Sequence, residues 1–403
     1  MKIIKQKIHE LKHLKKTIQI LQTIQNKNTM KKIKLLSAVA LIAATISSTS
    51  QSVEAKIWRV NNKSNYNGTS LYGDNMGGTA TYPVFAQVNQ AVQYPAISNN
   101  DTIHVEASPL IYDQADIDIP LVIIGSGYYI DKNPKTSNFP YNTKIERVNF
   151  NAGSQSSLLL GIDVVYNGSG GHGLVWVTVD NITVKRCRIE QCVAFQTGLI
   201  DSYVLQNIFD GPNNATQNAL ETNGSGGFVP PTDLIFNNNI VKNKLIWRNT
   251  TYQFPILECK NNVFDGPSNT LLLDFATSAF HDNIVKPTLV TVNINNNSNA
   301  NVLNVTCTGS TQFPGTPGLK VEPVMSVVFQ TSTSTDGQYQ LNSSWATANP
   351  GANGDRGAFG GPPTSRYTLS GLAAVPVIYE VTTNGVSTAG QGLPVNVKAR
   401  TIK

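Results

Sequence analysis

A seven-residue phrase recurs five times along the middle of this chain, and it constrains the fold more than any other feature. The copies read KRCRIEQ at 185–191, LQNIFDG at 205–211, NNNIVKN at 237–243, KNNVFDG at 260–266 and HDNIVKP at 281–287. Aligned on Arg188, Asn207, Asn239, Asn262 and Asn283, the steps between them are 19, 32, 23 and 21 residues. Short apolar strands separated by Asn-rich turns at such a period are the mark of a solenoid, here a parallel β-helix.

The repeat has a direct physical reading. Leu234 and Phe236, two apart, share one face of a strand, and Ile240 follows the turn. One such strand cannot bury its face alone, so the next coil stacks on it at about 4.8 Å. Equivalent residues then form files. The spacing predicts an interior aliphatic file of Ile189, Ile208, Ile240, Val263 and Ile284, worth roughly 1.5–3 kcal/mol per buried side chain before entropy is charged. Beside it runs the polar file Arg188, Asn207, Asn239, Asn262 and Asn283. Asn accepts left-handed backbone angles at tight turns, and stacked amides can bond from coil to coil. The words NIFDGPNN at 207–214 and NVFDGPSN at 262–269 end their strands on Asp-Gly-Pro, because Pro donates no ladder hydrogen bond. The longest step contains an insertion, 212–232, rich in Gly, Asn and Pro, expected to project as a loop.

Charge narrows the partners. Residues 1–55 hold 10 of the 31 Lys and Arg but only 2 of the 25 Asp and Glu, so the remainder carries 21 against 23. A nucleic-acid partner loses its main support, since phosphate binding needs clustered positive charge. After Met30, a second candidate start, Lys31, Lys32 and Lys34 precede an apolar run from Leu35 to Ile46 and a small polar stretch ending at Ala55. That pattern predicts a secretory signal peptide cleaved after Ala55. Its apolar run is short for a membrane span, so no transmembrane segment is expected in the mature chain. Export implies a secreted, cell-surface or periplasmic protein. Residues 1–29 read either as an upstream misassigned start or as a basic amphipathic helix. Of the four cysteines, Cys187, Cys192, Cys259 and Cys307, none has metal-ligand spacing; their pairing stays open, and Cys187 and Cys259 fall at apolar strand positions suited to stacked thiols.

In chain order, Phe85, Val88, Ala91 and Val92 fall at helical spacing, which predicts a short amphipathic helix over 83–94. NDTIHV at 100–105 and IPLVIIGSG at 119–127 read as strands, and QYQL at 338–341 and DRGAF at 355–359 follow the coils. These words resemble the amino-terminal cap, first coil and closing motif of secreted right-handed parallel β-helix proteins of the pectate-lyase-like superfamily. Asn100 and Ile119 depart from that pattern, as does the stretch 343–347. The resemblance spans most of 57–361 and implies a single-stranded right-handed parallel β-helix with a helical lid over its apolar end. Three segments follow: an extension with signal peptide at 1–55, the β-helix at 56–361, and a β-rich tail at 362–403. Two strand-like runs around Asn384-Gly385 predict a terminal hairpin.

Chemistry is less legible. Two positions beyond the aliphatic file lies a column of Gln191, Asp210, Lys242, Asp265 and Lys286, in which acid and base alternate. Such a column is either a ladder of ion pairs, each worth about 0–1 kcal/mol, or a stripe that meets acidic sugars through Lys242 and Lys286, with calcium held by Asp210 or Asp265. Trp247 and Tyr252, near Arg248, are candidates for stacking on sugar rings or for loop packing. His172 stands alone in a Gly-rich loop and reads as a turn residue. No spacing selects a catalytic pair. The expectation is a carbohydrate-associated exported solenoid that binds polysaccharide; the alternatives are a polysaccharide lyase or glycoside hydrolase acting on acidic polysaccharide, and a structural or adhesive solenoid.

Overall fold

The computed structural model describes residues 15–16, 55–63, 77–79, 81–137, 139–167, 173–196, 198–211, 218–223, 231–242, 254–266, 270–293, 301–373, 376–383 and 395–401. By contacts the chain divides into Met1–Glu54 and Ala55–Lys403. In the first unit Lys15 and Lys16 are helical and exposed. The expected signal peptide, His172 and the Asn384-Gly385 turn lie outside the described residues. Among the described residues, no helix is long and apolar enough to cross a membrane.

The second unit is a parallel solenoid. Three parallel sheets of twelve, nine and five strands run along it, and the early coils visit them in turn. Partners lie one coil apart in sequence: Tyr203–Leu205 of the first sheet pairs with Thr183–Lys185 on one side and Leu234–Asn237 on the other. In the second sheet the inward file is Ile145, Val164, Ile189, Phe209, Val241, Phe264, Val285 and Cys307, each in register with the next and fully buried. Phenylalanines stack across the bore: Phe264 and Phe280 are 6.1 Å apart and Phe280 and Phe313 5.9 Å, both pairs nearly parallel. All four cysteines are buried and outside any disulfide, Cys187 and Cys259 within this apolar core. Burial pushes the Cys187 thiol up to about 12.

The aliphatic file differs from expectation. Ile208, Ile240, Val263 and Ile284 do stack in register and are fully buried, but they face away from the bore. Strand alternation fixes this: Phe209, Val241, Phe264 and Val285 point inward, so their neighbours point out. Ile189 belongs to the inward file, opposite Phe209. The first copy of the repeat is thus offset by one. Cys187, not Arg188, stands opposite Asn207, and its backbone N–H donates to Asn207 Oδ1 at 2.9 Å.

Above that point the amides form a ladder. The backbone N–H of Asn207, Asn239 and Asn262 donates to Oδ1 of Asn239, Asn262 and Asn283 at 2.9, 2.8 and 2.8 Å. Each side-chain Nδ2 reaches a carbonyl of the first sheet, such as Asn239 to Val204 O at 2.9 Å. The left-handed turn falls one residue earlier, at Arg186, Gln206, Asn238, Asn261, Asp282 and Asn304, with φ between 53° and 60°. Turning and stacking, which the sequence reading gave to one residue, are divided between two.

What buries the outward file is a strap, residues 324–373. Val328, Phe329, Tyr339, Leu341, Trp345, Ala358 and Tyr367 pack on the four aliphatic side chains. The strap then runs back along the turn file, opposite to coil order. Asp282 Oδ1 accepts from Ala352 N–H, Asn261 donates to Asp355 O, Asn238 to Ala358 O and Gly360 O, Gln206 to Thr364 O and Arg186 to Leu372 O. Gly357 in the DRGAF word has φ +71°, and a Cβ there would lie 2.7 Å from Ile284 Cδ1. Glycine takes this left-handed angle without strain and leaves the Ile284 side chain undisturbed. At the far end Tyr128 and Tyr367 share a hydrogen bond at 2.6 Å, and Asn133 donates to Asp336 and to Ser370.

At the opposite edge of the third sheet, the helix Val88–Val92 covers the first strand, Ala115–Ile117. Its buried Val88, Ala91 and Val92 join the core. Asn89 Oδ1 accepts from Asp116 N–H at 2.7 Å, in place of a neighbouring strand. The helix is shorter than expected because Val84–Phe85 forms a strand on Ile57–Val60 instead. The chain ends on an antiparallel hairpin of Pro376–Thr383 with Val395–Thr401.

Candidate functional site

The acid–base column exists as a register. Asp210, Lys242 and Asp265 are successive partners in the second sheet. Lys242 Nζ lies 3.2 Å from Asp210, and Lys286 Nζ 2.5 Å from Asp265. Gln191 is displaced from it by the same one-residue offset, which brings Glu190 opposite Asp210. All four charged members are partly buried beside the strap. Tyr339 O–H donates to Asp265 at 2.7 Å, and the Lys286 ammonium lies over the rings of Tyr339 and Phe329.

The column continues into a cluster that sequence reasoning did not assemble. Arg188 donates to Asp163 at 2.7 Å, to Glu190 at 2.8 Å and to the Asp210 carbonyl at 3.0 Å, while its Nε donates to Tyr129 O–H at 2.9 Å. Tyr129 in turn donates to Asp210 at 2.5 Å. Burial works against the Arg188 charge, but Asp163, Tyr129 and Glu190 outweigh it and hold the guanidinium firmly protonated. Burial likewise pushes the Tyr129 phenol up, against the opposing pull of Arg188, and Asp210 adds to the rise. The phenol therefore stays a donor. Every carboxylate here has a cation or hydroxyl on it, the arrangement of a closed structural network.

Trp247 and Tyr252 lie outside the described residues. Among those described, no group of three or more His, Cys, Asp or Glu is placed to hold a metal ion. The third sheet, however, carries an outward file of Asp116, Asn149, Trp176, Ala194 and Glu221, in register. Trp176 is half-buried, with the Arg147 guanidinium 5.3 Å from its ring centre. Arg147 donates to Asn149, Asn149 to Asp116 at 2.6 Å, and Gln114 to Asp116 at 2.9 Å. The Arg147 guanidinium lies over one face of the indole, so what remains exposed of the half-buried ring, with the amide and carboxylate groups beside it, can meet an apolar ring face and bond the hydroxyls around it. The signal was present in the sequence. Val175-Trp176-Val177 alternates, and with both valines buried the indole must face outward.

In comparison with known proteins, no family model matches this chain, and neither a curated protein nor a solved structure matches it.

Proposed function

We propose that this chain is an exported β-helix of the pectate-lyase-like kind that binds polysaccharide at the cell surface or outside the cell. The observation that carries the reading is the Trp176 platform, with Asn149, Asp116, Gln114 and Arg147 around the indole. With Asp116 and Glu221 against Arg147 the face carries no excess of positive charge, which suits a neutral glycan better than a uronate. The signal-like stretch from Lys31 to Ala55 supports export. The lyase or hydrolase alternative has less support, because Asp163, Asp210 and Asp265 are all engaged by Arg, Lys or Tyr.

The test is affinity electrophoresis of the full chain in gels carrying pectate, alginate or neutral glucans. Retardation by a glycan, weakened at least about tenfold by Trp176→Ala with an unchanged melting temperature, is the expected result. Retardation that is equal in the variant, or absent on every glycan, overturns the reading. Unsaturated products or new reducing ends would instead establish an enzyme.

A further inference from the structure

The outward face of the first sheet holds the file His104, Ile124, Leu160, Lys185 and Leu205, in register at about 4.8 Å per coil. Lys242, Lys260 and Lys286 each meet a carboxylate, whereas among the described residues the Lys185 ammonium has no ion pair or hydrogen bond. It sits between two leucines, where burial and then the Arg186 charge pull it below the ordinary lysine range. Arg186 is held in place by bonds to Gln206 and to Leu372 O, so its like charge stays near.

At the His104 and Ile124 end of this file the hairpin borders a half-open cavity of about 710 Å³, within the range of roughly 300–1,000 Å³ typical of small-molecule sites. Ile57, Ile124 and Phe139 form its floor and wall, and Pro376, Ile378 and Val381 its roof. Three of its hydroxyls are already engaged, Ser126 with Thr143, Thr136 with Ile130 O, and Ser137 with Phe139 N–H, and Thr102 adds a fourth hydroxyl to the lining. Burial lowers the His104 pKa, outweighing Glu106, so no charge lines the slot. The strap leaves the turn file at Leu372, whose carbonyl accepts from Arg186, the residue after Lys185, before Ala373 joins the cavity wall. Leu160 bridges the distance between the ammonium and Ile124.

We infer that this slot holds a single-chain anionic amphiphile, its aliphatic tail under Ile378 and Val381 and its carboxylate head on the Lys185 ammonium. A carboxylate supplies the partner that a desolvated ammonium lacks, and a tail withdraws apolar surface from water on both sides of the slot. This site lies on a different sheet from Trp176 and does not depend on glycan binding.

Isothermal titration of the full chain with dodecanoate, kept below its micelle concentration, tests the inference. One molecule should bind per chain, and Lys185→Met should weaken it by at least about tenfold while Lys185→Arg retains it. Dodecanol should bind equally to wild type and Lys185→Met. Ile378→Ser, at a roof position 49% exposed and so tolerant of change, should weaken both ligands. Far-ultraviolet dichroism of the variants should match wild type. No saturable binding, equal dodecanoate affinity in Lys185→Met, or association with anionic phospholipid vesicles alone each overturns it.

Discussion

The residue that best shows how this chain holds together is Asn262. Its Oδ1 accepts from both the N–H and the Nδ2 of Asn239, and its own Nδ2 donates to Phe236 O and Asn283 Oδ1. All of these groups are buried, so Asn262→Ala strands several of them, each worth about 1–3 kcal/mol when unsatisfied. Urea unfolding should show a loss on the order of 3 kcal/mol, and a loss below about 1 kcal/mol would contradict the ladder. The register of these four asparagines was legible, because identical amides at matching intervals have few other uses. The division of labour with the preceding residue was not. Arg186, Gln206 and Asp282 adopt left-handed angles without being Gly or Asn, and what holds them there is their bonding to a distant part of the chain.

At the scale of the element, the helix Val88–Val92 does the work of a missing strand through polar side chains. Asp116 on the covered strand is the hinge of that contact. Burial would raise its pKa, but hydrogen bonds from Asn149, Gln114 and Asn89, with Arg147 nearby, win and lower it. A carboxyl that titrates lower in the folded state contributes stability above its unfolded pKa and loses it as pH falls through the folded one. Melting temperatures from about pH 6 down to about pH 2 should therefore show the wild-type advantage over Asp116→Asn shrinking with acid. A difference that stays constant with pH would rule this out. The helix was visible in the periodicity of Phe85, Val88, Ala91 and Val92, but its start was not. Phe85 is apolar in either a strand or a helix, and only the free edge at Arg59–Val60 decides between them.

At the scale of the whole molecule, the strap sets the architecture apart from a bare stack of coils. A chain stopped after Pro323 would uncover Ile208, Ile240, Val263 and Ile284, a loss of about 6–12 kcal/mol by burial alone. It should bind hydrophobic dyes and melt well below the full chain; an unchanged melting temperature would show that the strap is dispensable. The strap was only half legible. QYQL and DRGAF marked two stretches within it, but the four aliphatic residues it covers repeat as regularly as an interior file. A pattern of period two records that one face is buried, not which side supplies the cover. Among the candidate site residues, the pairing of Asp210 with Lys242 and of Asp265 with Lys286 followed from the repeat. The Arg188 neighbourhood did not, because Tyr129 reaches it from a loop far back in the chain, and the Trp176 neighbourhood did not, because its coils lie before the regular repeat begins. In solenoids each coil talks only to its neighbours, so damage at one end stays local. Here, a single ribbon later in the chain than every turn it touches grips five of them, from Arg186 to Asp282. During synthesis the winding can proceed coil by coil, but the seal arrives last, so a prematurely terminated product would be left unlatched along its full length.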